Sequence, residues 1–133
     1  MMAIVRASEL FKRKSSAIFA QHGLSFSQYN VLRLLEGCPE GKSSISEIAD
    51  KLLVSTPNLS GIAKRLEKAG FVSRTRDQAD ERKTILILKK EGQKVLARVE
   101  GLQMANIREF LADWPDEQKG VFLNLLKHVL QKG

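Results

Sequence analysis

The sequence predicts a mainly α-helical chain of a single domain, residues 1–133, with one small β-hairpin set into it. Three observations lead there. Apolar residues recur at i, i+3, i+4 and i+7 in several separate stretches. Serines stand where those stretches begin, as helix N-caps do. Two short runs rich in β-branched residues flank a polar loop at residues 76–83, as the strands of a hairpin do. With 133 residues and 43% hydrophobic content, the chain is long and apolar enough to bury a core, which argues against disorder.

A first helix is expected over about Ile4 to Gln21, with Ile4, Phe11 and Ile18 at near-helical spacing and Arg6, Lys12, Arg13 and Lys14 among them. Its apolar stripe is thin. Completion by a partner subunit and fraying of a terminus both fit that pattern. Ser25-Phe-Ser-Gln28 fits a capping box and opens a second helix with Val31, Leu32 and Leu35 facing a core, ending by Gly37. A turn follows at Cys38-Pro-Glu-Gly-Lys42. Ser44-Ile-Ser-Glu47 fits a second capping box, before a short helix with Ile45, Ile48, Ala49 and Leu52 on one face.

The stretch from Ser55 to Gly70 is the centre of the chain. Ser55 is placed to N-cap a helix, Pro57 falls in its first turn, and Gly70 follows its last periodic residue. Leu59, Ile62, Ala63 and Leu66 make one apolar face, whereas Thr56, Asn58, Ser60, Lys64 and Arg65 lie on the other. Short hydrogen-bonding groups near the helix start and cations beyond them suit a helix that sets its N-terminus against base edges and its flanks against phosphates. An ordinary amphipathic surface helix would share the apolar face. Its neighbour decides between these: two short helices joined by so tight a turn make a helix-turn-helix.

After Gly70 the period becomes extended. Phe71–Thr75 and Thr84–Leu88 read as strands around the loop Arg76–Lys83, which together form a wing. An arginine at such a tip can enter a narrow minor groove. Asp80 could hold Arg82 or Arg74 in a fixed pose through a paired hydrogen bond. A long helix is expected from about Glu91 to Ala112, where Gly101 costs roughly 1 kcal/mol relative to Ala and invites a bend or close packing. Asp113-Trp-Pro-Asp-Glu117 breaks the chain, with Pro115 suited to a first helical turn. The last helix carries Val121, Phe122, Leu125, Leu126, Val129 and Leu130. That stripe could pack on the chain's own first helix or form a dimer interface.

The net charge is +7, and nine Lys/Arg against four acids give residues 55–90 a surplus of five. A local field of this kind attracts polyanions. No apolar run approaches about 18 residues, so no membrane span is expected. The N-terminus lacks the apolar core of a secretory signal. One cysteine excludes an internal disulfide and fits a reducing compartment, so a cytoplasmic protein is expected. His22 and His128 are far apart with no nucleophile motif or phosphate loop, so no catalytic residue and no cofactor is assigned. One cysteine and two separated histidines make a poor metal site, and Cys38 lacks the flanking cations of a low-pKa thiol other than Lys42. A metal- or redox-sensing regulator, and a winged helix that binds only proteins, stand as the alternatives.

In order and spacing, the chain resembles the MarR-type winged-helix transcriptional regulators from about Ser8 to its C-terminus. The matching segments are Leu24-Ser-Phe-Ser-Gln-Tyr-Asn-Val-Leu-Arg-Leu-Leu35, Ser46-Glu-Ile-Ala49, Arg65-Leu-Glu-Lys-Ala-Gly-Phe-Val-Ser-Arg74, Asp80-Glu-Arg82 (the D-x-R wing signature) and Leu88-Lys-Lys-Glu-Gly92. The resemblance implies a DNA-binding lobe over residues 25–90 and a homodimer formed by residues 1–22 and 91–133. It implies a pseudo-palindromic operator in double-stranded DNA, usually repressed, and release by a small aromatic or phenolic compound or an oxidant. Carried over by position, Thr56, Asn58 and Ser60 would face bases, Lys64 and Arg65 would lie nearer the backbone, and Arg82 would be the wing arginine. Ser55, Arg74, Arg76, Asp80 and Lys83 complete the expected DNA-binding set. Two positions depart from the family pattern. Lys89 stands where a Thr N-cap is common, and Gly61 where many relatives carry a large polar side chain.

Overall fold

The computed structural model describes residues 1–132, in the order α1 (Met2–Ala20), α2 (Phe26–Glu36), β1 (Lys42–Ser44), α3 (Ile45–Leu52), α4 (Thr56–Lys68), β2 (Val72–Arg76), β3 (Thr84–Leu88), α5 (Lys90–Phe110) and α6 (Asp116–Leu130). A single 3-10 turn, Pro39–Gly41, lies between α2 and β1. The fold class is as expected, with one addition. The wing is a three-stranded antiparallel sheet in the order β1-β3-β2, because Lys42, Ser43 and Ser44 pair with Ile87, Leu86 and Ile85. Three polar residues after a Pro/Gly turn carry no strand pattern of their own. They are extended because β3 offers them a free edge.

The helix starts follow local chemistry. Ser25 and Gln28 form the full reciprocal box: Ser25 Oγ accepts from the Gln28 N–H at 3.1 Å and Gln28 Oε1 accepts from the Ser25 N–H at 2.9 Å. At Ser44 only half of the expected box forms. Ser44 Oγ accepts from the Glu47 N–H, but the Glu47 carboxylate turns to the Ser43 hydroxyl at 3.0 Å. Pro115 is the N-cap residue of α6 rather than part of its first turn, and α5 runs Lys90–Phe110. Gly101 packs closely against nothing, since a Cβ there would meet no atom within 4 Å.

The core lies between the helix-turn-helix, the root of the wing and the N-terminal half of α5. Phe19, Val31, Leu32, Leu35, Ile48, Leu59, Leu66, Val72, Leu86 and Val99 are fully buried in it, and Phe19 stacks on Tyr29 with centroids 4.0 Å apart. The apolar faces read from the sequence for α2, α3 and α4 are the faces that pack. In α6 the outcome differs: none of its described residues is buried, and Val121, Phe122, Leu123, Leu125, Leu126, Val129 and Leu130 are 42–68% exposed. It does not pack on α1.

The turn of the helix-turn-helix contains a strained residue. Leu53 has φ 55° and ψ 41°, a left-handed conformation that costs a residue with a Cβ about 1 kcal/mol. Its side chain is 76% exposed, so it recovers little by packing. Leu53→Gly is expected to stabilise the fold by about 1 kcal/mol, read as a higher urea midpoint at unchanged slope; a lower midpoint would show that the leucine is held by a contact of its own.

Candidate nucleic-acid interface

The site is built on α4. Ser55 N-caps it, its Oγ accepting from the Asn58 N–H at 3.3 Å, and Pro57 occupies the first turn, where a missing N–H costs nothing. Leu59, Ile62, Ala63 and Leu66 are buried beneath, which leaves Ser55, Thr56, Asn58, Lys64 and Arg65 exposed and Ser60 half-buried. At its far end the Gly70 N–H donates to the Glu67 carbonyl and the Phe71 N–H to the Leu66 carbonyl, both at 3.0 Å. Gly70 takes φ +80° to make that reversal, the arrangement in which a left-handed glycine closes a helix and satisfies its last carbonyls.

The reversal leads into β2, so the wing stands beside α4. Arg76, Asp80, Arg82 and Lys83 are exposed at its end. Asp80 does not clamp an arginine side chain as the sequence suggested. Its Oδ1 accepts the backbone N–H of Arg82 at 3.1 Å, and Asp77 Oδ1 accepts that of Ala79 at 2.9 Å. These are Asx-type turns. They shape the loop from within, supported by the Asp77 N–H to Lys83 carbonyl and Lys83 N–H to Asp80 carbonyl bonds, each 2.9 Å. Asp80 thus sets the backbone at Arg82 and leaves its guanidinium free to reach outward.

Arg74 is placed differently from the other cations of the set. Its Nη2 donates to Glu67 Oε1 at 2.8 Å, so this cation is occupied within the protein. The hydrogen bond from Arg74 is the main reason that the Glu67 carboxyl lies below its ordinary range and the Arg74 guanidinium above its own. By contrast, Lys64, Arg65, Arg76, Arg82 and Lys83 take part in no ion pair among the described residues. The structure therefore brings together one exposed polar and cationic face on α4 and one cationic loop beside it. Lys89 leads into α5 without a side-chain cap, as its departure from the family pattern implied. Its N–H instead bonds the Phe71 carbonyl at 3.0 Å, which ties the α5 start to the wing root.

Two contributors were not legible as site residues in the sequence. Glu67 falls within the Arg65–Arg74 matching segment but reads there as an ordinary helix-surface acid, with the added signal of an acidic group in a last helical turn, against the helix dipole. Gly92 reads as part of a motif, but its role is steric: a Cβ there would lie 2.5 Å from the Phe71 carbonyl oxygen. Cys38 is half-buried, its Sγ 3.3 Å from the Leu34 carbonyl oxygen.

A family model described as the MarR family matches residues 22–83, the span from the end of α1 to the wing. An uncharacterized HTH-type transcriptional regulator of Bacillus subtilis, YwoH, is 32% identical over 129 residues, 97% of this chain and 92% of its own. The chain belongs to the MarR family. Among solved structures, a MarR family transcriptional regulator from Streptomyces coelicolor in complex with DNA superposes with a TM-score of 0.91, at 24% identity over 98% of this chain and 83% of that one. At that identity the likeness is one of fold. NadR in complex with 4-hydroxyphenylacetate gives a TM-score of 0.82, at 25% identity over 97% of this chain and 90% of that one. This MarR-family chain is thus a DNA-binding transcriptional regulator and not an enzyme, and no helix among its described residues is long and apolar enough to cross a membrane.

Proposed function

We propose that the protein is a homodimeric repressor that binds a pseudo-palindromic operator through α4 and the wing and is released by a small aromatic or phenolic effector. The observation that carries the DNA contact is the exposed face of Thr56, Asn58, Lys64 and Arg65 beside the unpaired cations of the wing. Thr56, Asn58 and Ser60 face base edges, Ser55 caps the helix that presents them, and Lys64, Arg65, Arg76 and Lys83 meet phosphates. Arg82 reaches the minor groove from a loop that Asp80 shapes. Residues 25–90 form the lobe, and residues 1–22 and 91–133 the dimerisation region. The uncovered apolar stripe of α6 supports the second copy, because monomeric soluble proteins rarely expose a contiguous apolar face of that size.

Two lobes related by a two-fold axis must meet major grooves about 34–36 Å apart. A ligand that binds one lobe arrangement better than another therefore shifts DNA affinity. The 4-hydroxyphenylacetate bound by NadR supports a phenolic acid as the first effector class to screen. Repression follows where the operator overlaps the promoter.

The test is fluorescence anisotropy on duplex DNA flanking the protein's own coding sequence, against random DNA, at two salt concentrations. Saturable binding at two chains per site, falling steeply with salt, supports the reading. Weak and equal binding to both duplexes overturns it and favours a protein-interaction module. Asn58→Ala is expected to lose about 1–3 kcal/mol of base discrimination, whereas Arg82→Ala weakens binding and relaxes minor-groove preference. Equal loss on operator and random DNA would remove Asn58 from the base-reading set.

A further inference from the structure

Glu67 occupies the last turn of α4, where the negative end of the helix dipole disfavours a carboxylate. Helix stability therefore does not account for it. Across the Gly70 corner its Oε1 takes the Nη2 hydrogen bond of Arg74, with the two side chains 40% and 29% exposed. Arg74 stands on β2 opposite Leu86, which is fully buried, so it sits at the apolar root of the wing. Its Nε is shielded from solvent without a partner. A donor left in that state is costly, and the bond to Glu67 is what the guanidinium gains by lying there.

We infer that Glu67 is a positioning residue: with Arg74 it sets the angle between α4 and the wing, and it removes Arg74 from the cations that meet DNA. The inference rests on the DNA-binding reading above and assigns Arg74 a different part in it. Leverage explains why the angle matters. The wing end lies about five residues beyond Arg74, at most about 15 Å away. A tilt of about 10° at the root would move it by up to about 2.5 Å, a large part of one base-pair rise of about 3.4 Å. Apolar packing at the root is not directional and resists separation more than it fixes an angle. A charge-assisted hydrogen bond across the corner resists both.

The test uses the full chain and a random duplex of about 30 base pairs, reading the salt dependence of binding, together with amide hydrogen exchange of β2 without DNA. In Arg74→Gln the salt slope is expected to stay at the wild-type value while β2 exchange rises at least fivefold and α2 exchange is unchanged. A slope shallower by about one overturns the proposal, because it would place Arg74 on a phosphate. In Glu67→Ala, freed Arg74 is expected to raise random-DNA affinity about two- to fivefold and steepen the slope by about one, with faster β2 exchange. Glu67→Gln keeps an acceptor for Arg74 and should restore near-wild-type exchange. Unchanged β2 exchange in Glu67→Ala overturns the tether. If the wild-type chain binds no DNA, the DNA reading fails, and β2 exchange alone decides whether the corner is held by this pair.

Discussion

Introducing glutamate at both Leu125 and Val129 is expected to convert the proposed homodimer to monomers and to lower its affinity for a two-half-site operator at least about 100-fold. Both residues lie on the uncovered face of α6, 61% and 66% exposed. Covering such side chains contributes about 1.5–3 kcal/mol each, and two-fold symmetry counts every substitution twice. A carboxylate in that interface adds the cost of burying an unpaired charge. The operator effect follows from linkage. Two lobes on one scaffold bind the second half-site as an intramolecular event, which typically strengthens binding by about 10²–10⁴ over one lobe. Because no described residue of α6 contributes to the core, the lobe should stay folded, with thermal unfolding still cooperative. Light scattering after size exclusion gives the mass, and anisotropy gives the affinity. A variant that stays dimeric at micromolar concentration would move the interface elsewhere.

Gly92→Ala has the second large expected effect, a loss of about 2–3 kcal/mol and roughly 10 °C in Tm. The added Cβ would stand 2.5 Å from the Phe71 carbonyl oxygen and 2.7 Å from Leu88 Cδ1. Leu88 can rotate, but the carbonyl is backbone and already accepts the Lys89 N–H at 3.0 Å. Relief therefore requires the start of α5 to move off the wing root, losing that bond and the burial of Leu88. Gly61→Ala makes the control. Its Cβ would meet nothing within 4 Å, so removing a helix-interior glycine should stabilise by about 0.5–1 kcal/mol. Differential scanning calorimetry of the two variants reads opposite signs. A Gly92→Ala variant as stable as wild type would mean that the α5 start is soft.

The two positions show why one glycine could not be told from another in the sequence. Both lie in helices, and both break a helical propensity pattern by the same amount. What separates them is a carbonyl oxygen 21 positions away in sequence from Gly92, brought close when β3 turns into α5. The same holds for the cations. Nine lysines and arginines between residues 55 and 90 look equivalent as charges, yet Arg74 is taken by Glu67 across a corner that exists only once Gly70 has reversed the chain. By charge alone Asp80 could hold the guanidinium of Arg82 or Arg74. In the fold its carboxylate bonds the nearer Arg82 N–H, since a backbone donor two residues on is reached without ordering a long side chain.

By itself the sequence determined whatever depends on neighbours within about one helical turn or one strand. The caps at Ser25 and Ser55, the stop at Gly70, the buried stripe of α4 and its polar opposite face are settled by short-range hydrogen bonding and periodicity. The order of those pieces was enough to reach the family. The third strand at Lys42–Ser44, the Glu67–Arg74 pair, the space denied to Gly92 and the bare face of α6 come instead from the assembled fold. Each depends on how the chain turns or assembles beyond one local period, and a local pattern carries no record of which surface it will meet.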